Sequence, residues 1–166
     1  MSKVYKSFDQ VYQDLKEGVF SNEAELRQAF VEALKNEFSN SSCNKYIVEH
    51  WFVPVLDETV KRGRPEIMIS NIVIEVEPPR ARLKKGLEQL YQYMEELYQS
   101  VKGEIKIIYG LVTDGEEAEL LEYDGSNYRK IQHDKMPTVI RNLINLFCSS
   151  KIPIIRADDI LKLFGV

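Results

Sequence analysis

The sequence predicts an α/β domain built on a mixed central β-sheet flanked by helices. Three observations predict it. Segments with helical apolar spacing, 21–38 and 80–101, alternate with short β-branched runs at 46–55, 66–69 and 72–77. The run IKIIYGLV, 105–112, is apolar nearly throughout, the pattern of a strand buried on both faces. An Asp124-Gly125 pair between 118–123 and 127–131 marks a hairpin turn.

The elements follow in order. Residues 7–17 read as a short helix. Ser21 and Asn22 are N-cap candidates for the next one, whose positions Leu26, Phe30, Ala33, Leu34 and Phe38 recur at helical spacing. NSSCN, 40–44, is a loop. YIVEHWFVPV, 46–55, is aromatic and β-branched and reads as a strand. A charged connection containing KRGRP leads to strands 66–69 and 72–77, with Ser70 and Asn71 between them. Pro78 and Pro79 stop the sheet. Residues 80–101 form a long helix with Leu83, Leu87, Leu90, Tyr91, Met94, Leu97, Tyr98 and Val101 as its apolar stripe. After strand 105–112 and the hairpin, helices at 137–148 and 157–164 close the chain. No linker divides these elements, so residues 1–166 are expected to be one domain, with its core at about 21–131 and the C-terminal helices (137–166) packed on it.

Composition narrows the partners. The 166 residues are 44% hydrophobic, which excludes a wholly disordered chain. Lys and Arg number 22 and Asp and Glu 26, a net charge of −4 that argues against coating a polyanion by bulk charge. Cys43 and Cys148 could form one bridge but are too few for a disulfide framework or a zinc site, and buried thiols are the preferred reading. No apolar stretch reaches membrane-spanning length, and the N-terminus lacks an apolar signal core. A cytoplasmic protein that does not enter membranes is expected. Neither His50 nor His133 has a ligand partner at metal spacing, and Walker loops and nucleophile elbows are missing.

A two-residue turn at Ser70-Asn71 places Ile69 opposite Ile72, Met68 opposite Val73, Ile67 opposite Ile74, and Glu66 opposite Glu75. Glu77 shares the face of Glu75, whereas Ile67, Ile69, Ile72, Ile74 and Val76 share the other. Three carboxylates thus converge at one end of an apolar hairpin. Facing carboxylates repel, and a divalent cation with oxygen ligands, Mg²⁺ or Mn²⁺, compensates them. A solvated strand end is the plain alternative. The surroundings favour the ion: residues 61–85 hold seven basic residues against these three acids, so a local +4 sits in a remainder of −8. Arg80, Arg82, Lys84 and Lys85 gather at the start of the long helix, whose N-terminus attracts anions.

The stretch RGRPEIMISNIVIEVEPPRARLKKGLEQLYQYMEEL, 62–97, resembles the PD-(D/E)xK nuclease superfamily, the restriction-endonuclease-like fold. Glu66 falls at the first acidic motif position and Glu75 at the second. Glu77 falls where the signature lysine usually stands, and Gln89 with Tyr93 matches a QxxxY pattern of some branches. GLVTDGEEAELLEYDG, 110–125, and SNEAELRQAF, 21–30, are similar to segments of type I restriction-subunit nuclease domains. The resemblance spans about residues 21–131 and implies metal-dependent hydrolysis of nucleic acid phosphodiesters, DNA being the expected substrate.

On that basis Glu66 and Glu75, with the Val76 carbonyl, would hold Mg²⁺ or Mn²⁺. Glu77 would orient or deprotonate the attacking water, and Glu23 would act from the first long helix through outer-shell water. Glu23 is preferred to Glu25 because it shares the stripe of Leu26 and Phe30. Arg64, Arg80, Lys84, Lys85, Gln89 and Tyr93 would meet the substrate. Two departures stand out: PE replaces PD, and EVE replaces ExK, which removes a positive charge. The second departure supports the alternative of a catalytically inactive module on the same fold, binding nucleic acid or a protein. The Tyr- and Leu-rich stripe of 87–98 could equally serve a homodimer or the chain's own core.

Overall fold

The computed structural model describes residues 3–41, the backbone of 52–54, and residues 67–101 and 105–149. In chain order these form α1 (Phe8–Lys16), α2 (Glu23–Ser39), β1 (Phe52–Pro54), β2 (Ile67–Ile69), β3 (Ile72–Val76), α3 (Lys84–Val101), β4 (Ile108–Thr113), β5 (Glu117–Tyr123), β6 (Tyr128–Lys135) and α4 (Met136–Ser149). The strands make one six-stranded sheet in the order β1-β2-β3-β4-β5-β6. Every neighbouring pair is antiparallel except β3 and β4, which run parallel. A parallel pair needs a crossover, and α3 supplies it. At 18 residues it spans about 27 Å.

The sheet is covered on both sides. Ile67, Ile69, Ile72, Ile74 and Val76 pack in one core with Phe8, Leu26, Phe30 and Leu34 of α1 and α2 and Val139, Ile140 and Leu143 of α4. Met68, Val73, Val112 and Leu121 pack in a second core with Leu90, Tyr93, Met94 and Leu97 of α3. All five residues of β3 are therefore buried. The α/β arrangement is as expected, and so is the hairpin register: Ile67 pairs with Ile74, Met68 with Val73 and Ile69 with Ile72. Ser70 turns the chain at φ 50°, in the left-handed region, and the Asn71 side-chain amide donates to the Ile107 carbonyl at 2.9 Å, tying the turn to the approach of β4.

Local chemistry sets the remaining boundaries. Asn22 caps α2: its Oδ1 accepts the Glu25 N–H at 2.9 Å. In return the Ser21 N–H donates to Glu25 Oε2 at 3.2 Å, a reciprocal pattern close to a capping box. α3 starts at Lys84 rather than residue 80. Two prolines and Arg80 at φ 58° hold 78–81 out of the helix. At the β5–β6 turn, Asp124 Oδ1 accepts the N–H groups of Ser126 and Asn127 at 2.9 and 2.8 Å. β6 runs on to Lys135, beyond the expected end at 131, because its backbone stays paired with β5 as far as Glu117.

Tyr93 is expected, with Gln89, to meet the substrate. Tyr93 is instead only 8% exposed, since it stands three residues after Leu90 and four before Leu97, toward the sheet. Leu90, Met94 and Leu97 likewise belong to the chain's own core. Cys148 is disulfide-bonded, which corrects its reading as a buried thiol. Cys43, most of the strand expected at 46–55 and the helix expected at 157–164 lie outside the described residues. Among the described residues, no helix is long and apolar enough to cross a membrane.

Candidate nucleic-acid and metal site

The site is built where β3 ends and α3 begins. Strand alternation sends Glu75 to the α3 side of the sheet, together with Val73. Parallel pairing sets Glu75 beside Val112, and antiparallel pairing sets Val112 beside Glu119. Glu75 is 2% exposed. Glu77 is 9% exposed. Its N–H donates to the Thr113 carbonyl at 2.8 Å, which prolongs the parallel pairing by one residue. Glu75 and Glu77 are two residues apart on one extended segment, so their Cα atoms stand roughly 7 Å apart.

α3 approaches this segment through a glycine. A Cβ on Gly86 would overlap the Glu77 carboxylate and come within 2.6 Å of Val112 Cγ2. Glycine at this position lets the first turn of α3 lie directly on Glu77. The positive end of the helix dipole then faces a buried carboxylate, a favourable arrangement.

The basic residues divide into two groups. Arg80 is turned toward α1: its Nη2 donates to the Lys16 carbonyl at 3.2 Å, and its Nε is 3.8 Å from Glu116 Oε2. Lys16 pairs with Glu116 at 2.8 Å, and that bond draws the Glu116 carboxyl below its ordinary range. Arg82, Lys84 and Lys85 are exposed and make no hydrogen bond or ion pair through their side chains among the described residues. They stand on and just before the first turn of α3, whose Gly86 lies against the Glu77 carboxylate.

The other expected site residues are dispersed. Glu23 is the first residue of α2, half-buried, in the helical layer on the opposite side of the sheet from Glu75. The Val76 side chain also points to that opposite core. Gln89 is half-buried on α3, and Tyr93 is a core residue beside it. Glu66 and Arg64 lie outside the described residues. Among the described residues, no group of three His, Cys, Asp or Glu side chains is placed to hold a metal ion.

Three buried acids escape a reading of the sequence: Asp14 on α1, which pairs with Lys3, and two nearer this segment. Glu119, 7% exposed, shares the row of Glu75 and is met by Lys130 at 3.3 Å and His133 Nδ1 at 3.2 Å. The alternation of Glu117 and Glu119 before LLEY is the signal that could have found it. Asp114 Oδ1 accepts the N–H groups of Glu116 and Glu117, both at 3.0 Å. Burial nonetheless outweighs those bonds and pushes the Asp114 carboxyl up. It is the acid of a tight turn, legible as TDGEE.

The oxygen donor set of Glu75 and Glu77 fits a hard divalent cation, which takes one or two carboxylates and completes its shell with water and phosphate oxygens. Comparison with family models, curated proteins and solved structures returns no match for this chain.

Proposed function

We propose that this chain is a divalent-metal-dependent nuclease acting on DNA, on a restriction-endonuclease-like version of its α/β fold. One observation carries the reading. Two buried carboxylates, Glu75 and Glu77, lie at the end of β3 beside three exposed cations, Arg82, Lys84 and Lys85, that have no partner among the described residues. Cations at a helix N-terminus that are uncommitted among the described residues suit phosphate. Glu75 and Glu77, with Glu66 as the sequence expects, would hold Mg²⁺ or Mn²⁺. Such an ion supplies Lewis acidity and an acidified water. Lys84, Lys85 and Arg82 bind the phosphate backbone. α3 roofs the carboxylates and excludes bulk water, which strengthens their electrostatics.

The test is cleavage of single-stranded, duplex and branched DNA with Mg²⁺ or Mn²⁺, by wild type and by Glu75→Gln, which keeps side-chain shape. The expected outcome is a loss of about 10²-fold or more in the variant, with circular dichroism unchanged. Wild-type rates in a folded Glu75→Gln protein would reject the assignment. A second reading, a binding module without turnover, is favoured by the first turn of α3 lying on Glu77. Salt-sensitive DNA binding with no cleavage by wild type under either metal selects it.

A further inference from the structure

We propose that a shallow cavity on the outer side of α2 binds a linear diammonium ion of polyamine length. The cavity holds about 260 Å³ and lies between the N-terminal segment, the α1–α2 connection and α2. It is in the helical layer on the far side of the sheet from Glu75, and the proposal is independent of the nuclease reading.

The floor is apolar and aromatic. Tyr5, Phe20 and Ala29 form it, with the Tyr5 and Phe20 ring centroids 5.8 Å apart. Val4 and Val19, 60% and 50% exposed, are the exposed large apolar side chains among the described residues. Val19 lines the cavity, and Val4 stands between the lining residues Lys3 and Tyr5.

Two carboxylates stand over this floor. Glu25 and Glu32 are seven residues apart on α2, so they share a helix face and are separated by about 10.5 Å along the axis. Each is held by one oxygen. The Ser21 N–H donates to Glu25 Oε2 at 3.2 Å, and the Tyr5 N–H donates to Glu32 Oε2 at 3.1 Å. Among the described residues, the Oε1 atom of each carries no hydrogen bond and remains available to a donor. Lys3, the cation among the lining residues, is committed to the buried Asp14 at 2.9 and 3.0 Å. The mouth therefore keeps the charge of Glu25 and Glu32. Their field reaches the floor: the Tyr5 phenol is pushed up by burial first, and then by Asp14, Glu32 and Glu25.

The spacing selects the ligand. A single ammonium reaches one carboxylate. A chain with an ammonium at each end and methylenes between them reaches both, and its apolar middle covers Ala29 and Phe20. An ammonium near the Tyr5 or Phe20 ring adds a cation–π attraction. A free α,ω-diamine carries this chemistry, and so do two nearby lysines of a peptide.

The test is an amide-shift NMR titration of the full chain with 1,8-diaminooctane, with butylamine as the single-charge control and an acetylated Lys-Gly-Lys peptide as the second source. Saturable shifts confined to residues 3–5, 19–20 and 25–32 are expected, at least tenfold weaker for butylamine. The Glu25→Gln/Glu32→Gln protein should also bind at least tenfold more weakly, because its amide oxygens preserve the two backbone bonds but not the charge. Saturation by 1,8-diaminooctane alone assigns the site to a free ligand, and saturation by the peptide alone assigns it to a protein segment; both support the site. Shifts spread over the whole acidic surface, no saturation, or undiminished binding to the double variant would overturn it.

Discussion

The two ends of the α3-facing side of the sheet handle charge in opposite ways. On β5 and β6 acids meet bases across the strands: Glu119 with Lys130 and His133, and Glu117 with His133. These are cross-strand pairs of the kind that fix register, and they absorb the charge of both strands. At the end of β3 the acids Glu75 and Glu77 are buried, while the adjacent cations Arg82, Lys84 and Lys85 take no partner among the described residues. Acid and base are adjacent in both regions. Only the second leaves base uncommitted at the surface. Charge density alone does not mark a site; uncommitted charge beside buried charge does.

The largest expected effect breaks the comparison at Glu75. Glu75→Gln should remove cleavage by about 10²-fold or more, whereas Glu119→Gln should leave turnover within about twofold and lower stability by about 1 kcal/mol through its lost pairing. Equal losses of cleavage in both variants would show that the acids of the two regions work as one site.

The cations give the next largest effect. Neutralising Lys84 and Lys85 together should lower the slope of log affinity against log salt for DNA by about 2, close to one unit per phosphate contact. Neutralising Lys130 should leave that slope unchanged, because its ammonium is engaged by Glu119. A common decrease would mean that partnered and unpartnered lysines meet the phosphates alike.

Gly86 tests the geometry between these charges. Gly86→Ala gains up to about 1 kcal/mol of helix propensity. Against this, the new methyl group overlaps the Glu77 carboxylate and Val112, and overpacking of this kind costs about 1–3 kcal/mol. Net destabilisation of up to about 2 kcal/mol is expected in urea unfolding, with metal-dependent activity falling further than stability accounts for. A protein stabilised by the added methyl would show that α3 does not rest on Glu77.

Much of this architecture is legible from alternation alone. A two-residue turn and a period of two are enough to pair Ile67 with Ile74, Met68 with Val73 and Ile69 with Ile72, and the folded hairpin has that register. The burial of Glu75 and Glu77 is less legible. It depends on α3 crossing over them, and that crossing depends on Gly86, whose missing side chain has no periodic signal. In sequence Arg80 looks equivalent to Lys84 and Lys85. Its bond to the Lys16 carbonyl spans 64 residues of sequence, its other partner is Glu116, and no local pattern records such contacts. Polarity misplaces Tyr93: its hydroxyl suggests an edge, but its ring fills the core.

The smallest expected effect concerns His133, which titrates within the committed region. Its hydrogen bond to Glu119 raises the imidazole pKa from the ordinary 6.5; partial burial opposes the shift, and the bond to Glu117 adds to it. A raised folded-state value means that the native protein holds this proton more tightly than the unfolded chain. The stabilisation is therefore complete below about pH 6.5 and disappears as the pH rises through the folded value. His133 is 41% exposed at its side chain, so solvent screening limits the contribution to a few tenths of a kcal/mol and at most about 1. The difference in unfolding free energy between wild type and His133→Gln should shrink between pH 6 and 8.5. Its salt dependence at pH 6 should match that of an exposed ion pair. A pH-independent difference would assign His133 a packing role and leave Lys130 as the base that compensates Glu119. In that case the contrast would rest on Lys130, which has Glu119 within reach, against Lys84 and Lys85, which pair with no acid among the described residues.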